Sequence, residues 1–284
     1  MRIAAITDEF SPSDLGAALD GMAAVGMTGA ELRIVFDRNM IDLTDEEIDR
    51  ARAAVDARGM TVVSLASPLL KCVLPDGPAL DSRVQHDVFG SPHKYEDQPR
   101  LTRRAFEVAE RAGAGIIRVF SYWRTVEPER TFDRAAEALR DLADEAAKRG
   151  IAIGLENEHA CNAGTGAEAA RLLAMVDHPS LKLVWDPANA SILGETPFPD
   201  GYSTLPSSRI VHVHAKDCKV VDHKPTWGVI GEMDVDWRGQ LQALRRDGYD
   251  GWYSLETHWT GPHGDKFEAS TICGRALREL VVAT

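Results

Sequence analysis

Four residues carry the chemistry this chain has to offer. Glu156, Asp186, His214 and Glu256 each lie at the end of a short apolar run: Gly154-Leu155-Glu156, Leu183-Val184-Trp185-Asp186, Arg209-Ile210-Val211-His212-Val213-His214 and Tyr253-Ser254-Leu255-Glu256. Alternate residues of a strand share a face, so His212 and His214 point the same way, with His214 nearer the C-terminal end. Three oxygen donors and one imidazole suit Mn²⁺, Co²⁺ or Mg²⁺ better than a structural zinc site, which favours thiolates. Singly, each residue has an ordinary role: a carboxylate at a strand end is a surface charge or helix cap, and a histidine in an apolar strand is a hydrogen-bonded core residue. The set of four points to one divalent metal ion. Mn²⁺ is the expected ion, with Mg²⁺, Co²⁺ and Zn²⁺ as alternatives, although the donor set by itself does not rank Mn²⁺, Co²⁺ and Mg²⁺.

Such convergence needs strands that run parallel and end on one side. Apolar, β-branched stretches at residues 3–6, 30–35, 61–66, 116–120, 151–155, 181–185, 210–213 and 252–255 read as eight strands. Helical periodicity fills the intervals, at 15–25, 44–58, 101–112, 131–149, 167–176 and 235–246, and a closing helix spans 267–282. Ser11-Pro12-Ser13-Asp14 and Thr44-Asp45-Glu46-Glu47 are helix-start signals. Gly26, Gly59, Gly113, Gly150 and Gly248 each follow a helical pattern and precede a strand. Repeated βα units of this kind predict a (β/α)8 TIM barrel occupying residues 1–284 as one domain. The alternative, a doubly wound sheet, would show a glycine-rich loop after its first strand, where this chain has Thr7-Asp8-Glu9-Phe10. The candidate ligands are 30, 28 and 42 residues apart, matching consecutive units. Two long connections, 68–99 and 188–208, are placed at the C-terminal face of the barrel, the first as a lid over the site.

Composition narrows the partners. A formal net charge of −12 lacks the basic footprint of a nucleic-acid-binding protein. No apolar run approaches the ~20 residues that span a bilayer. The first residues reach Asp8 and Glu9 too early for a signal peptide. Cys72, Cys161, Cys218 and Cys273 lack metal-binding spacing and read as reduced thiols, so a cytoplasmic protein is expected.

The sequence resembles the xylose isomerase-like TIM-barrel superfamily, the sugar phosphate isomerase/epimerase group that includes ketose 3-epimerases, inosose dehydratases and endonuclease IV. The resemblance covers essentially the whole chain. It rests on Gly154-Leu155-Glu156-Asn157-Glu158-His159, Val184-Trp185-Asp186-Pro187-Ala188-Asn189, His212-Val213-His214-Ala215-Lys216-Asp217, Gly231-Glu232-Met233-Asp234-Val235-Asp236-Trp237 and Ser254-Leu255-Glu256. It implies that His214 rather than His212 is the ligand, and that Glu156 and Glu256 also act as acid and base on the two faces of a sugar or polyol. An isomerase or epimerase working by proton transfer beside a carbonyl is therefore expected, with an inosose-type dehydratase as the alternative. A non-catalytic sugar-binding protein and a nuclease rank lower. Endonuclease IV-like members use extra histidines; here Glu31, Arg33, Ser67 and Asn189 stand at those strand ends. Ketose 3-epimerases typically carry a substrate-binding histidine at the position of Asn189. Lys216, Asn189, His159, Glu158, Arg118 and His258 are expected substrate contacts. Glu31 and Arg33 are read as orienting substrate, the alternative being an ion pair with each other. The resemblance is also compatible with a homo-oligomer.

Overall fold

The protein is described by a computed structural model covering residues 2–85 and 92–284. The runs dense in Val, Ile and Leu form strands whose successive side chains alternate between the barrel interior and the helix layer. They are β1 Arg2–Ile6, β2 Gly29–Leu32, β3 Thr61–Ala66, β4 Ile116–Val119, β5 Ala152–Glu156, β6 Leu181–Trp185, β7 Ile210–Ala215 and β8 Trp252–Leu255. Each pairs in parallel with its sequence neighbours, and β1 pairs with β8, so the sheet closes. The expected barrel is the observed fold.

Helices α1 Leu15–Ala24, α2 Asp45–Asp56, α3 Gln98–Ala112, α4 Phe132–Arg149 and α5 Gly166–Val176 follow the first strands in order. Thr44 starts α2 with a reciprocal capping box to Glu47. Gly113 and Gly150 end α3 and α4 with φ of 77° and 67°, the left-handed geometry a side chain resists. Leu101, Ala105, Phe106, Val108 and Ala109 of α3, and Leu139, Leu142 and Ala143 of α4, are buried, so the helical periodicity marks the faces laid on the sheet.

The structure revises four expectations near the site. The second strand, expected over 30–35, ends at Leu32. Arg33 turns away to meet acidic partners, and Ile34–Val35 instead pairs with Arg38–Asn39 in a small hairpin. The Asp8 carboxylate holds that break by accepting the Ile34 amide at 3.0 Å. The connection 188–208 is not a plain loop. A short helix, α6 Pro187–Ile192, opens it, because Asp186 caps the Asn189 amide at 3.0 Å. After β7, Asp217–Val221 and Lys224–Gly228 form an antiparallel hairpin that no turn signal had suggested. Helix α7 then starts at Trp237, capped by Asp236, two residues later than expected, and α8 Lys266–Ala283 closes the chain.

The loop read as a lid contributes Pro68, Lys71, Pro92 and His93 to the wall of a cavity over the barrel mouth. Its residues 86–91 lie outside the described residues. All four cysteines are free and buried. Among the described residues no helix is long and apolar enough to cross a membrane.

Candidate metal centre

Strands β5 to β8 deliver four side chains to one point. Oxygen atoms of Glu156, Asp186 and Glu256 and a ring nitrogen of His214 all lie within 4.8 Å of one another, and all four residues are buried. Register explains the convergence. His214 on β7 pairs with Ser254 on β8 and Val184 on β6 pairs with His212, so consecutive strand ends rise to similar height around the mouth. His214 Nδ1 is 3.1 Å from Glu156 Oε1 and 3.3 Å from Glu256 Oε2.

Each carboxylate has a cationic neighbour. Arg118 Nη1 is 3.2 Å from Glu156 Oε2, and Arg33 Nη1 donates to Glu256 Oε1 at 2.8 Å. Lys216 Nζ lies 2.8 Å from Asp186 Oδ2 and 2.9 Å from Glu256 Oε2. Burial pushes the Asp186 carboxyl up to about 6, against the pull of Lys216. Burial also acts against the charge on Glu256, but Lys216 and His214 beside it carry its carboxyl well below the usual range. For His214, burial opposes the proton, and the carboxylates of Glu31, Glu156 and Glu256 outweigh it, raising the imidazole well above its ordinary value. Four buried donors, three carboxylates and one imidazole, converge here, with the Lys216 ammonium held 2.8 Å from Asp186 Oδ2. This donor set fits a hard divalent cation, which would replace positive charge rather than add it.

The cavity above the cluster holds roughly 450 Å³ and includes Arg33, Lys71, Arg118, Glu158, His159, Glu256 and His258 among its walls. His159 Nδ1 lies 2.8 Å from Glu158 Oε1 and 3.0 Å from Asn189 Oδ1. Burial works against a charge on His159, but Glu158 overcomes it and raises the imidazole above its ordinary value. His258 stacks on Trp227 with ring centroids 4.6 Å apart; burial, then Lys216, push it well below its ordinary value, so it stands neutral.

Most residues singled out from the sequence meet here, though not all in the expected place. Arg118, Glu158, His159 and His258 face the cavity. Lys216 sits among the carboxylates of Asp186 and Glu256, while the Asp217 side chain accepts the amides of Cys218, Gly231, Met233 and Val235. Asn189 is fully buried, linking His159 to Glu156 through a 3.4 Å contact from its Nδ2. Glu31 and Arg33 do not pair with each other. Arg33 binds Asp8, Glu9 and Glu256, whereas Glu31 lies fully buried against His212, His214 and Ser254. Lys71 had not been singled out. Its ammonium lies 3.8 Å from Glu158 and 4.6 Å from the Phe120 ring centroid, and a lone lysine in an irregular loop carries no periodic signal. Asp8 and Glu9, which hold Arg33, had not been singled out as site residues either.

A family model described as "Xylose isomerase-like TIM barrel" matches residues 19–276. An inosose dehydratase of Lacticaseibacillus casei is 26% identical over 152 residues, which is 48% of this chain and 50% of that protein. The chain thus spans about half the length of that curated relative. Among solved structures, the IolI protein with a bound zinc atom superposes with a TM-score of 0.76 at 16% identity, covering 100% of this chain and 99% of that one. The 3-keto-D-glucoside 4-epimerase YcjR of E. coli superposes with a TM-score of 0.69 at 17% identity, covering 99% of both chains.

Proposed function

Because the chain belongs to the xylose isomerase-like TIM barrel family, we propose that it is a divalent-metal-dependent isomerase or epimerase that moves a proton at the carbon beside a carbonyl of a small sugar or polyol. The observation that carries this reading is the convergence of Glu156, Asp186, His214 and Glu256 within 4.8 Å, beneath a cavity walled by polar side chains. Glu156, Asp186, His214 and Glu256 would hold the ion, with Mn²⁺ the first choice and Zn²⁺ supported by the IolI neighbour. A bound ion supplies Lewis-acid polarisation of a substrate carbonyl.

The chain's own groups do the rest. Glu256, at the cavity wall with Arg33 on Oε1, accepts the proton from the carbon. Glu156, held by Arg118, returns a proton to the opposite face when the outcome is epimerisation. His159 and Lys71 orient hydroxyls from the rim. Removal of a carbon-bound proton needs a base of fixed position, and the guanidinium contacts supply that rigidity.

A second reading is a lyase that dehydrates a cyclic ketone. It is supported by the dehydratase name of the L. casei relative and by an asymmetry in the site. Glu256 stands among the residues that wall the cavity, while Glu156 lies fully buried beneath Arg118. One base on the cavity wall, with His159 on the same wall, suits abstraction of an α-proton followed by protonation of a departing β-hydroxyl.

The deciding experiment is metal-dependent deuterium incorporation from heavy water into ketoses, sugar phosphates and inososes, comparing wild type with Glu156→Gln and Glu256→Gln. The proposal expects exchange that requires Mn²⁺ or a similar ion and disappears in both variants. Unchanged exchange in both would place the chemistry elsewhere, and a product lighter by one water would select the lyase.

A further inference from the structure

We infer that Glu31 is the positioning residue that presents His214 to the metal ion, a role that rests on the reading of His214 as a ligand. Glu31 sits at the end of β2 and its side chain reaches across the barrel interior to β7 and β8. The pairing of β2 with β3 slips between Ala30 and Glu31, so Glu31 lies opposite Ser64 rather than Val63. Such irregularities re-aim a side chain at the rim of a barrel.

The Glu31 carboxylate is fully buried and has three close side-chain neighbours. His212 Nε2 lies 2.8 Å from Oε2, Ser254 Oγ donates to Oε2 at 2.7 Å, and His214 Nε2 lies 3.2 and 3.1 Å from Oε1 and Oε2. An ionised carboxylate only accepts hydrogen bonds, so the contact places a proton on His214 Nε2. In the neutral ring the lone pair then falls on Nδ1, the atom that faces Glu156 and Glu256. The Glu31–His214 contact therefore selects both the tautomer and the ring orientation that a metal ion needs. His212 packs edge-on against His214 with centroids 5.3 Å apart and also turns Nε2 to Glu31. It thereby holds the carboxylate in place and is itself directed away from the ligand cluster. This arrangement also distinguishes the two histidines of the Ile210–Ala215 strand by what stands behind each ring, not by their order in the chain.

The test is a direct titration of chelator-stripped protein with Mn²⁺ and with Zn²⁺ by calorimetry, in wild type, Glu31→Gln, Ser254→Ala and His214→Ala. Outer-shell partners of metal-bound histidines typically contribute about 10- to 100-fold in metal affinity. Glu31→Gln should therefore raise Kd by about that factor at one equivalent of ion. Its lost turnover should return as metal concentration is raised, and in the Zn²⁺-loaded protein imidazole ¹⁵N signals should show the hydrogen bond at His214 Nε2–H weakened. Ser254→Ala, a smaller cut that keeps the carboxylate, should shift Kd in the same direction by less, and serves if Glu31→Gln does not fold. The inference is overturned if His214→Ala abolishes binding while Glu31→Gln and Ser254→Ala leave Kd within twofold of wild type, whatever they do to melting temperature. It is equally overturned by a second equivalent of ion that needs Glu31 and His212 as ligands. Unchanged binding in His214→Ala would instead refute the proposed metal site itself.

Discussion

Replacing Lys216 with methionine removes the positive charge at the centre of the carboxylate cluster while keeping most of the side chain's volume. Lys216 is buried, and its ammonium lies within 2.9 Å of both Asp186 and Glu256. Breaking a buried ion pair from one side typically costs about 3–5 kcal/mol, because the partner is left charged and unsolvated. For 284 residues the unfolding entropy is about 0.6 kcal/mol/K, so the metal-free variant should melt about 5–8 °C below wild type at pH 7.5. Acid should relieve the defect. The Asp186 carboxyl already stands at about 6, raised by burial, and losing Lys216 moves it higher. A raised carboxyl favours the folded state as pH falls through its pKa, so the gap in melting temperature should narrow towards pH 5. A divalent ion restores the missing charge, and each ~1.4 kcal/mol restored appears as a tenfold gain in affinity. Lys216→Met should thus bind Mn²⁺ at least tenfold more tightly than wild type, by roughly half of the low end of the penalty. Scanning calorimetry with and without Mn²⁺, alongside titration calorimetry, measures both effects. A metal-free variant that melts within a degree of wild type, or one that binds Mn²⁺ more weakly, would refute the argument that Lys216 balances the ligand charge.

Two further outcomes follow from the surrounding contacts. His159 is raised above its ordinary value: burial opposes the proton and Glu158 overcomes that opposition. The stability it contributes is full below about pH 6.5 and is lost as pH rises through the raised value. Glu158→Gln should remove that contribution and, if His159 serves as an acid, move the alkaline limb of kcat/KM to lower pH; a limb that stays in place excludes His159 as the acid. Asp217→Ala strands the amides of Cys218, Gly231, Met233 and Val235. It should cost about 3 kcal/mol and lower the melting temperature by about 5 °C, with faster hydrogen exchange at Gly231 and Val235. Unchanged exchange there would mean that the hairpin holds its own geometry.

Much of the fold was legible because barrels are built from local signals. Thr44 and Glu47 form their capping box within four residues, and Gly113 and Gly150 end their helices where the chain needs positive φ. Asp186 shows where such reading stops. The same residue caps α6 and belongs to the ligand cluster; cap and ligand were weighed as alternatives, and setting the cap aside hid the helix that follows. The hairpin after β7 was missed because its turn, Asp222-His223, has φ of 49° and 61° without a glycine to announce it. Arg33 ended β2 early because its partners Asp8, Glu9 and Glu256 come from other strand ends, which no window on residues 30–35 contains.

The sequence by itself determined the number of βα units, their parallel direction and the arrival of Glu156, Asp186, His214 and Glu256 at consecutive strand ends, because hydrophobic period and helix punctuation act over a few residues. Only the tertiary structure decided which charges meet. Lys216 settles between Asp186 and Glu256, Arg33 reaches Glu256 across 223 residues, and Glu31 stands behind His214 from 183 residues away. Those pairings are set by strand register and barrel closure, and electrostatic energy depends on distance in space, to which separation along the chain is no guide.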